Sequence, residues 1–138
     1  YGYCADISRA FVCGNKFNKY QKKLYQTAVE QIDHNSRLIK AGLTFKEFTE
    51  KAWILPEKYY GNRYSVMLHG IGLCDEWPAI RYPTDGGERG GTFQKNMTIT
   101  LESYIGEVGG NEGVKLEQQY LVGENGLELM SHHPLEKI

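Results

Sequence analysis

The sequence predicts an α+β fold, with helices packed on a mainly antiparallel sheet, and three observations predict it. A long amphipathic stretch fills the N-terminal half. Two strand-like runs stand symmetrically about Gly109-Gly110, and a last short run follows Asn125-Gly126. The helices therefore come from the N-terminal half, and the C-terminal half reads as an antiparallel meander.

Taken in order, Tyr1 to Val12 reads as a strand punctuated by Gly14-Asn15. A helix is expected from about Asn18 to Ala41, with Tyr20, Leu24, Ala28, Ile32, Leu38 and Ile39 on one face and Gly42 as its C-terminal glycine. Thr44 to Glu47 has the capping-box pattern and starts a shorter helix toward Trp53, which Pro56 ends. Tyr64 to Leu68 is a short strand leading to His69-Gly70-Ile71-Gly72. Thr84 to Thr92 holds four glycines and reads as a mobile loop. Met97 to Ile105 and Val114 to Val122 form a hairpin with its tip at Gly109-Gly110. Leu127 to Met130 is the last strand, entered through a type I′ turn at Asn125-Gly126.

The 138 residues suit one domain or part of one, and 41% hydrophobic content is enough for a core. The net charge of -1 comes from 16 basic and 17 acidic side chains, scattered without a block of like sign. That argues against a nucleic-acid surface. No apolar run approaches the roughly 18 residues of a membrane span, and no signal-peptide pattern is visible. Cys4, Cys13 and Cys74 form no CxxC pair, as in a reduced, cytoplasmic protein. The chain opens in strand-like sequence without Met, as the C-terminal part of a longer protein would.

The hairpin carries the chemistry. Glu102 and Glu117 are equidistant from Gly109-Gly110, so the register places them opposite one another. Directly opposed Cβ atoms lie about 4.5–5.5 Å apart. Two carboxylates that close repel unless a cation lies between them. His69, followed by small residues, and Asp6, in a strand-like run where Asp is unusual, would complete a mixed nitrogen and oxygen site. Such a site suits Mn, Fe, Co or Zn better than Ca. Read alone, each residue also has an ordinary structural role: solvated glutamates, a histidine satisfied by a carbonyl, an Asp6–Arg9 pair. Asp75 and Glu76, before Trp77-Pro78, are candidate bases, and Tyr64 a candidate phenol at the same pocket. His34, His132 and His133 read as solvated.

Together, Asp6 in GYCADISR, His69 in HGIG, Glu102 in TLESYIG and Glu117 in VKLEQQ resemble the metallopeptidase superfamily with the creatinase/aminopeptidase P "pita-bread" fold, over essentially the whole chain. The resemblance implies a curved sheet and one catalytic domain over residues 1–138, lacking its first helices and strand. It implies a two-metal centre in which Asp6 is the second aspartate and His69, Glu102 and Glu117 are ligands. The first aspartate would precede Tyr1. Two departures stand out. Xaa-Pro peptidases of this fold carry a second histidine soon after HGIG, where this chain has Leu73-Cys74-Asp75-Glu76-Trp77-Pro78. They also carry Glu-Pro-Gly where this chain has Glu102-Ser103-Tyr104.

Both departures resemble the dimethylsulfoniopropionate lyases of the same fold. That resemblance implies a β-elimination giving dimethyl sulfide and acrylate, with iron as the metal. It implies Asp75 as the base and Tyr64 shaping the substrate site, and in such an elimination Tyr64 and Trp77 would hold the sulfonium by cation–π contact. It also implies a homodimer acting on a small molecule. A prolidase-like hydrolase and a catalytically inert binding domain are the alternatives.

Overall fold

The computed structural model describes residues 1–14, 16–73 and 76–135. Helix α1 spans Lys19–Leu38. Asn18 caps it by accepting from the Gln21 N–H, and the Gln21 side chain returns a bond to the Asn18 N–H. This reciprocal pair satisfies two donors that a helix start leaves free. The expected face is buried through Leu24, Ala28 and Ile32, and it also buries Thr27, Gln31 and Asn35. The helix stops before Ala41, because Ile39 turns extended and inserts its side chain into the core. Gly42 lies beyond that cap, in a turn with φ 91°.

Helix α2, Phe45–Lys51, begins at the expected Thr44–Glu47 box. Helix α3, Glu57–Tyr60, is a single turn that follows Pro56, so this proline starts a helix as well as following one. Strand β1 is Val66–Gly70, and β2, Ala79–Arg81, pairs with it. Strands β3, Thr98–Gly106, and β4, Gly113–Val122, form the hairpin, and β5 is Leu127–Leu129. All neighbours are antiparallel, in the order β2-β1-β3-β4-β5. Helix α1 packs on β3 and β4. The core lies between them, around Leu24, Tyr25, Phe48, Tyr59, Phe93, Ile99, Leu101 and Ile105.

Three expectations change. Tyr1 to Val12 is no strand: its β-pairing with the sheet is a single bridge, Ser8 to Glu117. Gly2 at φ 77° breaks the extended run, and the Ser8 and Glu117 carbonyls accept from Arg9 Nη1 as well as from each other's N–H. The turn before β5 is not type I′. Neither Asn125 nor Gly126 has the positive φ that type requires, and residues 123–126 form a longer connection closed by Gly123 N–H donating to Gly126 O at 2.8 Å. The segment from Thr84 to Thr92 contains part of a 3-10 turn, Pro83–Asp85, and is tied at Gly87 to Arg81 and at Gly91 to Phe45. Among the described residues, no helix is long and apolar enough to cross a membrane.

Candidate metal centre

Strand alternation sorts β3 into two faces. Ser103 meets Gln31 of α1 on the core side. Thr100 and Glu102 therefore point the other way. The register pairs Glu102 with Glu117 and His69 with Thr100, so three strands deliver three functional side chains to one patch. Asp6 arrives from the N-terminal segment, which the Ser8–Glu117 bridge and an Asp6 N–H to Gln119 Oε1 bond hold against β4.

His69 Nδ1 lies 2.9 Å from its neighbour's carbonyl, Gly70 O. A carbonyl only accepts, so Nδ1 carries the proton and Nε2 faces the carboxylates. From Nε2, Thr100 Oγ1 is 3.0 Å away, Glu117 Oε1 3.3 Å, Glu102 Oε1 3.8 Å and Asp6 Oδ2 3.9 Å. One ligand atom each from Asp6, His69 and Glu117 lies within 4.8 Å of the others.

The surroundings set the charges. Glu117 accepts from Thr100 and Ser8, both at 3.0 Å. Burial works against its ionised form. The His69 contact, the Lys115 charge and the two hydroxyls outweigh burial and hold the carboxyl down at about 2. Glu102 lacks such partners. Lys115 Nζ stands 3.0 Å from its Oε2 as an ion pair, and neither oxygen has a hydrogen-bond partner among the described residues. Burial pushes Glu102 up to about 7, against the pull of Lys115. For His69, burial acts downward, but Glu117, the Gly70 carbonyl and the Glu102 charge raise it to about 9. Burial and then the Glu117 charge raise Asp6.

These residues fit a cation. Buried carboxylate oxygens without a hydrogen bond are rare and costly. Here they sit beside an imidazole nitrogen already oriented toward them, the donor set of a transition-metal site.

Tyr64 lies at the rim, its ring 5.1 Å from Lys115 Nζ, in a cleft of about 390 Å³ shared with Asn62, Arg63 and Tyr104. Trp77 is 58% exposed and lines a different cleft of about 320 Å³, with Glu76, Arg81 and Arg89. Asp75, the expected base, lies outside the described residues, as does Cys74. His34 bonds the Lys51 carbonyl at an exposed position. His132 and His133 are exposed in the tail, where the His133 carbonyl accepts from Arg9. Sequence reading passed over Thr100, Lys115 and Ser8. The first two each lie two positions before a glutamate on an alternating strand, and that spacing alone places them on its face.

The site and the sheet together define a metallopeptidase-type scaffold. The chain belongs to metallopeptidase family M24, whose family model matches residues 1–124. It is 35% identical to dimethylsulfoniopropionate lyase DddP from Roseovarius nubinhibens, over 99% of this chain and 31% of that protein. The X-Pro aminopeptidase from Thermotoga maritima superimposes with a TM-score of 0.76 at 27% identity, over 98% of this chain and 37% of that one. The prolidase from Pyrococcus horikoshii gives 0.77 at 27% identity, over 99% and 38%. The fold is thus the creatinase/aminopeptidase P pita-bread fold, and the chain spans about a third of the length of these relatives.

Proposed function

We propose that this protein is a metal-dependent dimethylsulfoniopropionate lyase of the M24 family, with Asp6, His69, Glu102 and Glu117 as metal ligands. The observation that carries the metal is Glu102, buried with no hydrogen bond beside the Nε2 of His69. Support for the lyase comes from the 35% identical relative of that name and from Asp75, six positions after His69. Iron is the metal of this reading, with Mn, Co and Zn as alternatives. When bound, the metal supplies Lewis acidity toward the substrate carboxylate, which acidifies the adjacent C–H.

The chain's own groups do the rest. Asp75 takes the α-proton, the C–H electrons become the double bond of acrylate, and the C–S electrons leave with dimethyl sulfide. Tyr64 and Trp77 offer aromatic faces to the sulfonium, worth roughly 0.5–2 kcal/mol each. The two line different clefts, Tyr64 with Lys115 and Trp77 with Arg81 and Arg89. No attacking water is required, consistent with a sequence that has no histidine between Gly70 and Pro78. In the same reading the protein is a cytoplasmic homodimer.

Headspace gas chromatography of iron-loaded protein with dimethylsulfoniopropionate tests this. Dimethyl sulfide should appear, vanish in His69→Ala and fall at least about a hundredfold in Asp75→Asn. The prolidase and aminopeptidase likeness favours a hydrolase as the second reading. Turnover of Xaa-Pro dipeptides without dimethyl sulfide release would establish it instead.

A further inference from the structure

Glu102 and Glu117 each turn their two oxygens in opposite directions. Oε1 of each faces His69 Nε2, at 3.8 and 3.3 Å. Oε2 of each faces Lys115 Nζ, at 3.0 and 3.4 Å. The glutamate side chains are 1% and 0% exposed, whereas that of Lys115 is 38% exposed and reaches in from the rim. The ammonium therefore faces two buried carboxylates at once from the side opposite His69, and its Nζ lies 5.1 Å from the Tyr64 ring centroid. No hydrogen bond fixes Glu102, so this ion pair is its main electrostatic compensation among the described residues.

We propose that Lys115 is a built-in counter-cation that competes with the metal for Glu102 and Glu117 and so sets the affinity of the centre. Two like charges across a hairpin destabilise the pair. In the metal-free protein the ammonium offsets that repulsion. When a metal arrives, its charge adds to one already present, and the carboxylates must share their interaction between the two. Lysine suits this role because its compact charge sits on a flexible four-carbon stem. It can withdraw toward the cleft lined by Tyr64 and Tyr104, where it is already half-exposed. This rests on the reading of the cluster as a metal centre, but not on the lyase reaction.

The test compares wild type with Lys115→Met and Lys115→Arg. Mn2+ affinity is measured by titration calorimetry, and melting is followed in the presence of a chelator. Lys115→Met should bind Mn2+ at least about tenfold more tightly, since one opposite charge near a carboxylate is typically worth one to three pH units of affinity for a proton. The same variant should melt at lower temperature when metal-free, because its carboxylates lose their compensation. Lys115→Arg keeps the charge and should restore both properties toward wild type.

Equal or weaker Mn2+ binding by a folded Lys115→Met protein would overturn the proposal, as would an unchanged metal-free melting temperature. If Lys115→Met does not fold metal-free, the comparison of Lys115→Arg with Lys115→Gln under chelator decides it: only the arginine should stay folded. Failure of wild type to bind Mn2+ would sink the metal reading and the competition with it. Tight binding without dimethyl sulfide release would sink only the lyase.

Discussion

In the proposed metal centre, protons and a metal ion would contend for the same side chains. In the metal-free protein His69 titrates near 9 and Glu102 near 7, so at neutral pH His69 is largely, and Glu102 partly, protonated. Binding a metal must displace those protons. Apparent affinity should therefore rise between about pH 6 and pH 9, with proton release at pH 7, measurable by calorimetry in buffers of different ionisation enthalpy. A pH-independent affinity would contradict the geometry. Stability runs the other way. His69 is raised above its ordinary 6.5, so its contribution is complete below that value and is lost as pH climbs through 9. Glu102, raised from 4.5 to about 7, likewise loses its contribution with rising pH. Glu117 is depressed, and its contribution is lost only as pH falls from 4.5 through about 2. With metal absent, melting temperature should thus fall between pH 4.5 and about 9, first through Glu102 and then through His69. Among single residues, opposed spacing made the pair Glu102 and Glu117 legible, whereas residue type offered His69 and Asp6 only as candidates beside them. Thr100 and Lys115 were hidden: a threonine or lysine on a strand usually faces water, and only the three-dimensional approach of His69 and Tyr64 distinguishes these two.

Among the elements, the hairpin was the most legible. An antiparallel ladder with a known tip has a fixed register, and Glu102 pairs with Glu117 as expected. Strand β2 was not legible, since three residues carry too little alternation to signal a strand. The N-terminal segment misled for the opposite reason. Its composition is strand-like, but Gly2 in the left-handed region breaks the extended run, and only the Ser8–Glu117 bridge pairs with β4. Gly70, at the end of β1, shows what the glycine after His69 does. A Cβ there would lie 1.9 Å from the Trp77 carbonyl oxygen, in the backbone returning to β2. Gly70→Ala should cost about 3 kcal/mol or more, read as a lower denaturation midpoint. Since Gly70 N–H donates to Pro78 O and Gly70 O holds His69, the same change should also weaken metal binding. An unperturbed midpoint would mean that the β1–β2 connection has room to shift.

The whole molecule is joined across its layers by a polar core contact. Gln31 of α1 donates to the Tyr82 hydroxyl at 2.7 Å and accepts from Ser103 at 2.6 Å, next to Glu102. Burial pushes the Tyr82 phenol up to about 12, so it remains a neutral partner across the working pH range. Gln31→Ala would leave two hydroxyls short of a partner in the interior. It should lower stability by about 2–4 kcal/mol, with an unchanged denaturant slope if the protein unfolds as one unit. A shallower slope would show that α1 comes away separately. The fold class followed from the order of helical and strand-like segments. These cross-layer bonds did not, because polar residues on a helix face are read as its wet side.

One feature of the bridge between Ser8 and Glu117 extends to the protein's birth. These residues touch although they lie 109 positions apart in the chain. Synthesis proceeds from the N-terminus, so Asp6 leaves the ribosome long before Glu117 exists. Throughout that interval a scavenged ion meets isolated side chains rather than a chelating set, and isolated side chains hold ions weakly. Retention of a metal by the proposed centre would then require that translation has passed β4 and that Asp6 and Glu117 have met. Metallation would serve as a maturation mark, borne by finished molecules and missing from those stalled partway.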